Sequence, residues 1–378
     1  MASTYLTRTQ VSGNRKTWTF SGWIKLGEIT TADQVIWSSN NPPYYSTLVF
    51  ADHVLRYLDY FGGVTHELKT SQVFRDPSAW YHIVIAYDTT QATTSNRTKI
   101  YINGEQVTSF SVSTYPSLNY DSYVNVSGYT FHVGTQTFDS PYYNGYMADV
   151  YFIDGLAYDA STFGSFDSTT GIWKPNTAPT VTYGTNGFNL KFTNGADAGE
   201  DFSGNNNDLA TNGTPTQTLD CPSNVFATMN PLYNFSADNT YSNGNLKIVA
   251  GGAWSGALST LAVSQGKYYW EIKLTGTMTN HFIGVQTINV DVSTINPQQK
   301  AGTLVLYNND GGVIEKDNSN IGGTYGTFSS GDIAGMALDM GAGSYGQLTI
   351  YKNGVAIASN IDLSSTSNGA ILPFSATN

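Results

Sequence analysis

Carboxylate catalysis needs two acids held together, and this chain offers six glutamates, at Glu28, Glu67, Glu105, Glu200, Glu271 and Glu315. Retaining glycoside hydrolysis sets two carboxyl groups about 5 Å apart, typically from alternate positions of one strand. No Glu-x-Asp-x-x-Glu run occurs, and Glu271 stands alone in YYWEIKL, which reads as a solvent-face or structural position. The five histidines (His53, His66, His82, His132 and His281) are scattered, with no HExxH pair and no zinc-ligand spacing. They read as strand or loop residues. The single cysteine, Cys221, lies in a turn-like LDCPSN with no sequence-local histidine to activate it. There is no P-loop and no dinucleotide fingerprint. The chemistry that remains is binding, and the chain is read as a non-enzyme.

The better lead is aromatic. NNPPYYSTLVF and FDSPYYNGY each set a proline before a tyrosine pair, Tyr44–Tyr45 and Tyr142–Tyr143. Sugar sites combine aromatic faces with Asn, Asp and backbone polar groups, and tyrosine adds contact area at low entropic cost. Neighbouring residues of a strand point to opposite faces, so one tyrosine of each pair can anchor the core while the other is exposed. Packing at the rim or against sister subunits would use the same residues.

These loops must be held by strands. Charged residues are only 12% of the chain, roughly half the usual share, and 26 Tyr, 18 Phe and 38 Gly supply strand and turn formers. No stretch of about 12 residues shows helical periodicity with caps. In TWTFSGWIKL, Trp18, Phe20, Gly22, Ile24 and Leu26 share one face, with Thr19, Ser21 and Trp23 on the other. KIYINGEQV and TIYKNGVAI each carry Asn-Gly between strand-forming runs, at Asn103-Gly104 and Asn353-Gly354, which predicts two type I′ hairpins. The expected architecture is all-β, with two antiparallel β-sandwich domains joined by an Asn/Gly/Thr-rich connector. The domains are placed at 1–175 and 230–378. The connector, 176–229, has one strand (GFNLKF) packing on the first domain, while DASTFGSFDSTTGIWKP leaves the sandwich.

A net charge of −11 and a pI near 4.7 exclude nucleic acid as a ligand, because phosphate binding needs clustered Lys and Arg. The longest apolar runs are strand-sized, so no membrane insertion is expected. The first twenty residues lack the apolar core of a secretory signal. With one cysteine the fold uses no internal disulfide, which fits synthesis in a reducing cytoplasm and release on lysis.

The second domain resembles the SPRY (B30.2) family through GKYYWEIKL, FIGV and TYGTFSSGDIAGMALDMGAGSYGQLTIYKNGV, in that order. Such domains usually finish with another strand beyond the Pro-Phe region; here the sequence given stops at ILPFSATN, so the resemblance implies either a truncated sequence or a last strand supplied from elsewhere. The first domain resembles laminin-G/concanavalin-like jelly rolls through TWTFSGWIKL, AWYHIVIAYD, KIYINGEQV and YYNGYMADVYFIDG. Together with VFRDPSAWYHIV and DCPSNVFATMNPL, the whole resembles a group of bacteriophage virion proteins, tail-fibre-like or head-decorating. The group resemblance implies a surface protein of the particle, fibre or adhesin, attaching to host surface glycan or protein. A purely architectural decoration protein is the alternative, and a polysaccharide-degrading enzyme the weaker one. Other virion proteins and sister subunits are the implied partners, and the virion the implied location. The laminin-G resemblance also raises Ca²⁺, for which Asp197, Glu200, Asp201 and Asp208 are candidate ligands; the same residues serve equally as turn formers. SPRY domains bind partners through loops at one end, which makes Trp254 a candidate contact or, equally, a core residue.

Overall fold

TWTFSGWIKL forms the strand Thr17–Leu26, and its inward set Trp18, Phe20, Ile24 and Leu26 is buried in the main core. The computed structural model that shows this describes residues 4–377 except 137–140, 235–238, 252–254, 277–280, 289, 291–300, 308–310 and 364–370. It has two units, Met1–Phe226 and Ala227–Asn378. Every strand pairing among the described residues is antiparallel, and the only helical pieces there are the 3₁₀ turns Thr94–Asn96 and Ala160–Thr162. None is long and apolar enough to cross a membrane. The chain is all-β, as its composition predicts.

In the first unit, Thr17–Leu26 lies inside a six-stranded sheet. Its spatial order is Phe188–Leu190, Gly145–Asp154, Thr17–Leu26, Tyr81–Asp88, Thr98–Ile102 and Glu105–Gln106. An eight-stranded sheet shares the core with it, in the order Phe110–Thr114, Val64–Val73, Val54–Tyr60, Tyr44–Ala51, Gln34–Asn41, Thr130–Val133, Tyr5–Thr9 and Ala210–Asn212. Trp18 ties the two together: it stacks on Tyr87 at 4.7 Å and meets Trp37 edge-on at 5.7 Å. Each fully buried aromatic of this kind contributes about 2–3 kcal/mol.

The other face of Thr17–Leu26 is buried too, through Thr19, Ser21, Trp23 and Lys25. Here the expectation that DASTFGSFDSTTGIWKP leaves the sandwich is corrected. The segment turns back, and Ala160 and Phe163 cover Val84, Tyr151 and Ile153, while Trp173 covers Trp23. The reason is the outer face itself, which carries aromatic and branched side chains that water would not tolerate. Residues 176–226 also lie within the first unit. Phe188–Leu190 pairs with Gly145–Asp154, and Ala210–Asn212 pairs with Tyr5–Thr9.

The two Asn-Gly hairpins use one piece of backbone engineering. Asn103 and Gly104 have φ of 50° and 87°, Asn353 and Gly354 51° and 81°, as a type I′ turn requires. Each asparagine also reaches back to the preceding strand. Asn103 N–H donates to His82 O at 2.9 Å while its Oδ1 accepts from His82 N–H at 2.7 Å. Asn353 repeats this with Ile333 at 2.9 and 2.8 Å. They differ in surroundings: a Cβ on Gly104 would stand 2.5 Å from the Trp173 ring, whereas one on Gly354 meets nothing within 4 Å. Gly354→Ala is therefore expected to cost about 1–2 kcal/mol for its backbone alone, and Gly104→Ala about 2–5 kcal/mol because overpacking is added. Urea unfolding of the two variants, followed by tryptophan fluorescence and circular dichroism, tests this; equal losses would refute the Trp173 contact.

The second unit pairs a seven-stranded with a four-stranded sheet. Its core joins Ile283, Val285, Leu304, Leu306 and Ile314 to Met336, Leu338, Leu348 and Ile350. The ILPFSATN segment supplies the strand Ile371–Thr377, which lies between Ser255–Ser259 and His281–Thr287.

Candidate functional site: a groove on the eight-stranded sheet

Alternation along Tyr44–Ala51 sends Leu48 and Phe50 into the core and leaves Tyr45, Thr47 and Val49 on the outer face. On the neighbouring strand Leu55 and Tyr57 go inward, and Arg56, Leu58 and Tyr60 outward. Register then places Tyr45 opposite Tyr60, and the rings stack at 4.9 Å and 9°. A groove of about 310 Å³ runs over this face, lined by Tyr45, Thr47, Val49, Arg56, Leu58, Asp33, Gln136 and Pro141. An ion pair with Glu67 from the next strand fixes Arg56 and keeps a planar cation at the wall.

Beside the groove the same sheet face is polar. The Asn40 amide donates to Ser38 Oγ at 3.1 Å and lies 3.2 Å from His132 Nδ1. An amide N–H can only donate, so Nδ1 accepts and the imidazole is neutral. Burial pushes the His132 pKa down to about 4.

The two tyrosine loops meet here in part. Tyr45 and Pro141 line the same groove. Tyr44 stacks between Phe61 (4.9 Å) and Tyr123 (5.8 Å). Tyr142 pairs with Tyr5 at 6.0 Å. Tyr143 packs on the main core and donates its hydroxyl to Lys25 O at 2.6 Å. Trp254 lies outside the described residues. Tyr60, Arg56 and Gln136 were not singled out from the sequence: strand register brings the first two to Tyr45, and Gln136 arrives on the loop after Thr130–Val133.

The acidic turn lies elsewhere. Asp201 accepts from Asn189 N–H, Ser203 N–H and Asn207 N–H at 2.8–2.9 Å and from the Ser203 hydroxyl at 2.7 Å. Asp208 accepts from Asp201 N–H, Asp197 from Gly199 N–H, and Glu200 from the Asn194 amide. The four carboxylates thus hold turns. Among the described residues no group of three or more His, Cys, Asp or Glu converges on one point.

Two antiparallel sheets over a shared core, with a polar-aromatic groove outside, define a concanavalin-like, laminin-G type of β-sandwich, a lectin-like fold suited to binding carbohydrate or protein. In keeping with this, residues 1–160 match the laminin-G family described as the Concanavalin A-like lectin/glucanases superfamily. Similar solved structures include the SPRY domain of human HERC1, with 19% identity over 39% of this chain and 89% of that one and a TM-score of 0.32. Domains LG4-5 of the mouse laminin alpha1 chain are 9% identical over 98% of this chain and 79% of theirs, with a TM-score of 0.32. The native heptameric SAP-like pentraxin from Limulus polyphemus is 14% identical over 48% and 89%, with a TM-score of 0.31. No curated protein matches the chain.

Proposed function

We propose that this chain is a phage virion structural protein on the particle surface, an adhesin that attaches by binding a host surface glycan through the groove on its first unit. The observation that carries the reading is Tyr45, stacked on Tyr60 and lining the groove with Arg56 and Gln136. An aromatic face takes the C–H face of a pyranose, and the guanidinium and amide donate to its hydroxyls. The protein acts by binding and not by turnover, a reading supported by a sequence with no Glu-x-Asp-x-x-Glu run. The phage assignment rests on the resemblance of the sequence motifs.

The test is binding of the full chain to immobilised bacterial surface polysaccharides, together with antibody labelling of intact virions. Tyr60→Ala and Arg56→Ala are each expected to weaken polysaccharide binding about tenfold, the equivalent of about 1.4 kcal/mol. Tyr44→Ala is expected to leave it unchanged. Labelling of virions without any polysaccharide binding would mean decoration and would overturn the adhesin.

A further inference from the structure

The second unit carries a trough of its own, on the outer face of the four-stranded sheet Lys267–Lys273, Ile333–Asp339, Gln347–Lys352 and Val355–Asp362. Trp270 and Ile272 pack on the core, so Lys267, Tyr269 and Glu271 face outward. Register lines up three rows across the sheet: Lys267, Asp339, Gln347; Tyr269, Ala337, Thr349; and Glu271, Gly335, Tyr351. The middle strand thus contributes Gly335 and Ala337, the small residues that make a floor. Gly335 has a geometric reason to be glycine, since a Cβ there would stand 2.5 Å from the Tyr269 hydroxyl. Its absence lets the Tyr269 ring lie across the sheet.

That ring is built into place yet open. Its hydroxyl donates to Glu271 Oε1 at 2.8 Å, Tyr351 meets it edge-on at 6.1 Å, and the residue remains 55% exposed. Opposite it the strand Val355–Asp362 breaks register between Ile361 and Ala358. There Asn360 adopts φ 52°, a left-handed conformation within a strand, and lines the trough. Bulges of this kind re-aim side chains and are enriched beside binding sites. The trough is about 400 Å³, within the size range of small-ligand sites.

We propose that this trough is a second saccharide site, which takes a neutral pyranose ring against Tyr269, with the Asn360 amide and Thr349 hydroxyl bonding its hydroxyls. Neutrality follows from the charged residues that line the trough: its one cation, Lys267, has Nζ 2.9 Å from Asp339 Oδ2, which leaves no surplus cation among the lining residues to select an anionic ligand. An added β-strand is disfavoured at the edge strand Lys267–Lys273, where a lysine sits at each end. The site is independent of the groove on the first unit, and either can fail without the other.

The test is saturation-transfer NMR on the full chain with neutral tetrasaccharides of glucose, galactose and mannose as probes. Transfer to at least one probe is expected, weakened more than tenfold by Tyr269→Ala and several-fold by Asn360→Gly, which keeps the bulge conformation. Tyr269→Phe retains the ring and is expected to stay within about threefold of the parent. Tyr60→Ala, in the first unit, is expected to leave the Tyr269-dependent transfer intact. No transfer to any probe overturns the proposal. So does transfer insensitive to Tyr269→Ala in a variant with the parent's thermal transition, and so does transfer abolished by Tyr60→Ala alone.

Discussion

Asp220→Ala is expected to destabilise the first unit by about 3–5 kcal/mol, because it strands a buried lysine. The side chains of Lys25 and Asp220 are 1% and 3% exposed, with Nζ 2.7 Å from Oδ2. Asp220 Oδ1 also accepts from the Trp80 indole at 3.0 Å and from Phe226 N–H at 3.3 Å, and the ammonium stands 5.4 Å from the centre of the Tyr146 ring. The pair links residues 195 positions apart and fastens the end of the unit to the outer face of its six-stranded sheet. For a unit of this size the loss corresponds to a drop of roughly 6–20 °C in its unfolding midpoint. Lys25→Met with Asp220→Asn removes both charges but keeps an acceptor for Trp80, and is expected to recover most of the loss. Thermal unfolding by circular dichroism of the single and double variants decides it. A single-variant loss below about 1 kcal/mol would show that the pair does not fasten anything.

The second large effect is acid lability. His82 is sandwiched between Trp23 (4.8 Å) and Trp173 (5.9 Å), its Nδ1 accepts from the Trp173 indole at 3.1 Å, and its Nε2 lies 2.9 Å from Ser21 Oγ. With Nδ1 an acceptor the ring is neutral, and burial pushes its pKa down to about 3, while that of His132 falls to about 4. The unfolded values are near 6.5, so between there and the folded values the unfolded chain holds protons that the folded chain refuses. Stability from these groups is complete above pH 6.5. It falls as pH drops, by about 1.4 kcal/mol per pH unit for each histidine. His66, also lowered by burial, works in the same direction. Asp59 beside it has its carboxyl raised by burial, so its contribution has the opposite sign and offsets part of the loss at the acid end. Urea unfolding between pH 7 and 4.5 is expected to give a steady decline, with a shallower slope in His82→Asn. A flat profile would sink the assignment.

How much of this was legible in the sequence depends on how local the cause is. The Asn-Gly hairpins were readable because positive φ at two adjacent residues narrows the choice to a few types. The inward set of Thr17–Leu26 was readable because a strand's period is two. Lys25 was not, since a lysine on the alternate face of a strand reads as solvent-exposed until a carboxylate from residue 220 covers it. The layer formed by residues 156–183 was missed for a related reason: its polar, turn-rich composition hides Phe163 and Trp173, whose partners come from other strands. In the groove, Tyr45 was singled out by its setting after Pro42 and Pro43. Arg56 and Tyr60 joined it only through register, which no local pattern specifies. Tyr143, chosen with Tyr142 as a pair, is held by Lys25 O, a contact 118 positions away in the chain.

The strand Tyr5–Thr9 has one neighbour from residues 130–133 and the other from residues 210–212. On a ribosome adding about 5–20 residues per second, the second neighbour emerges roughly 10–40 s after the strand itself. Over that interval the growing chain displays an open strand edge, and nascent copies on the same message display it side by side. The order of synthesis, and not the stability of the finished sandwich, sets the period in which this protein is most exposed to pairing with the wrong partner.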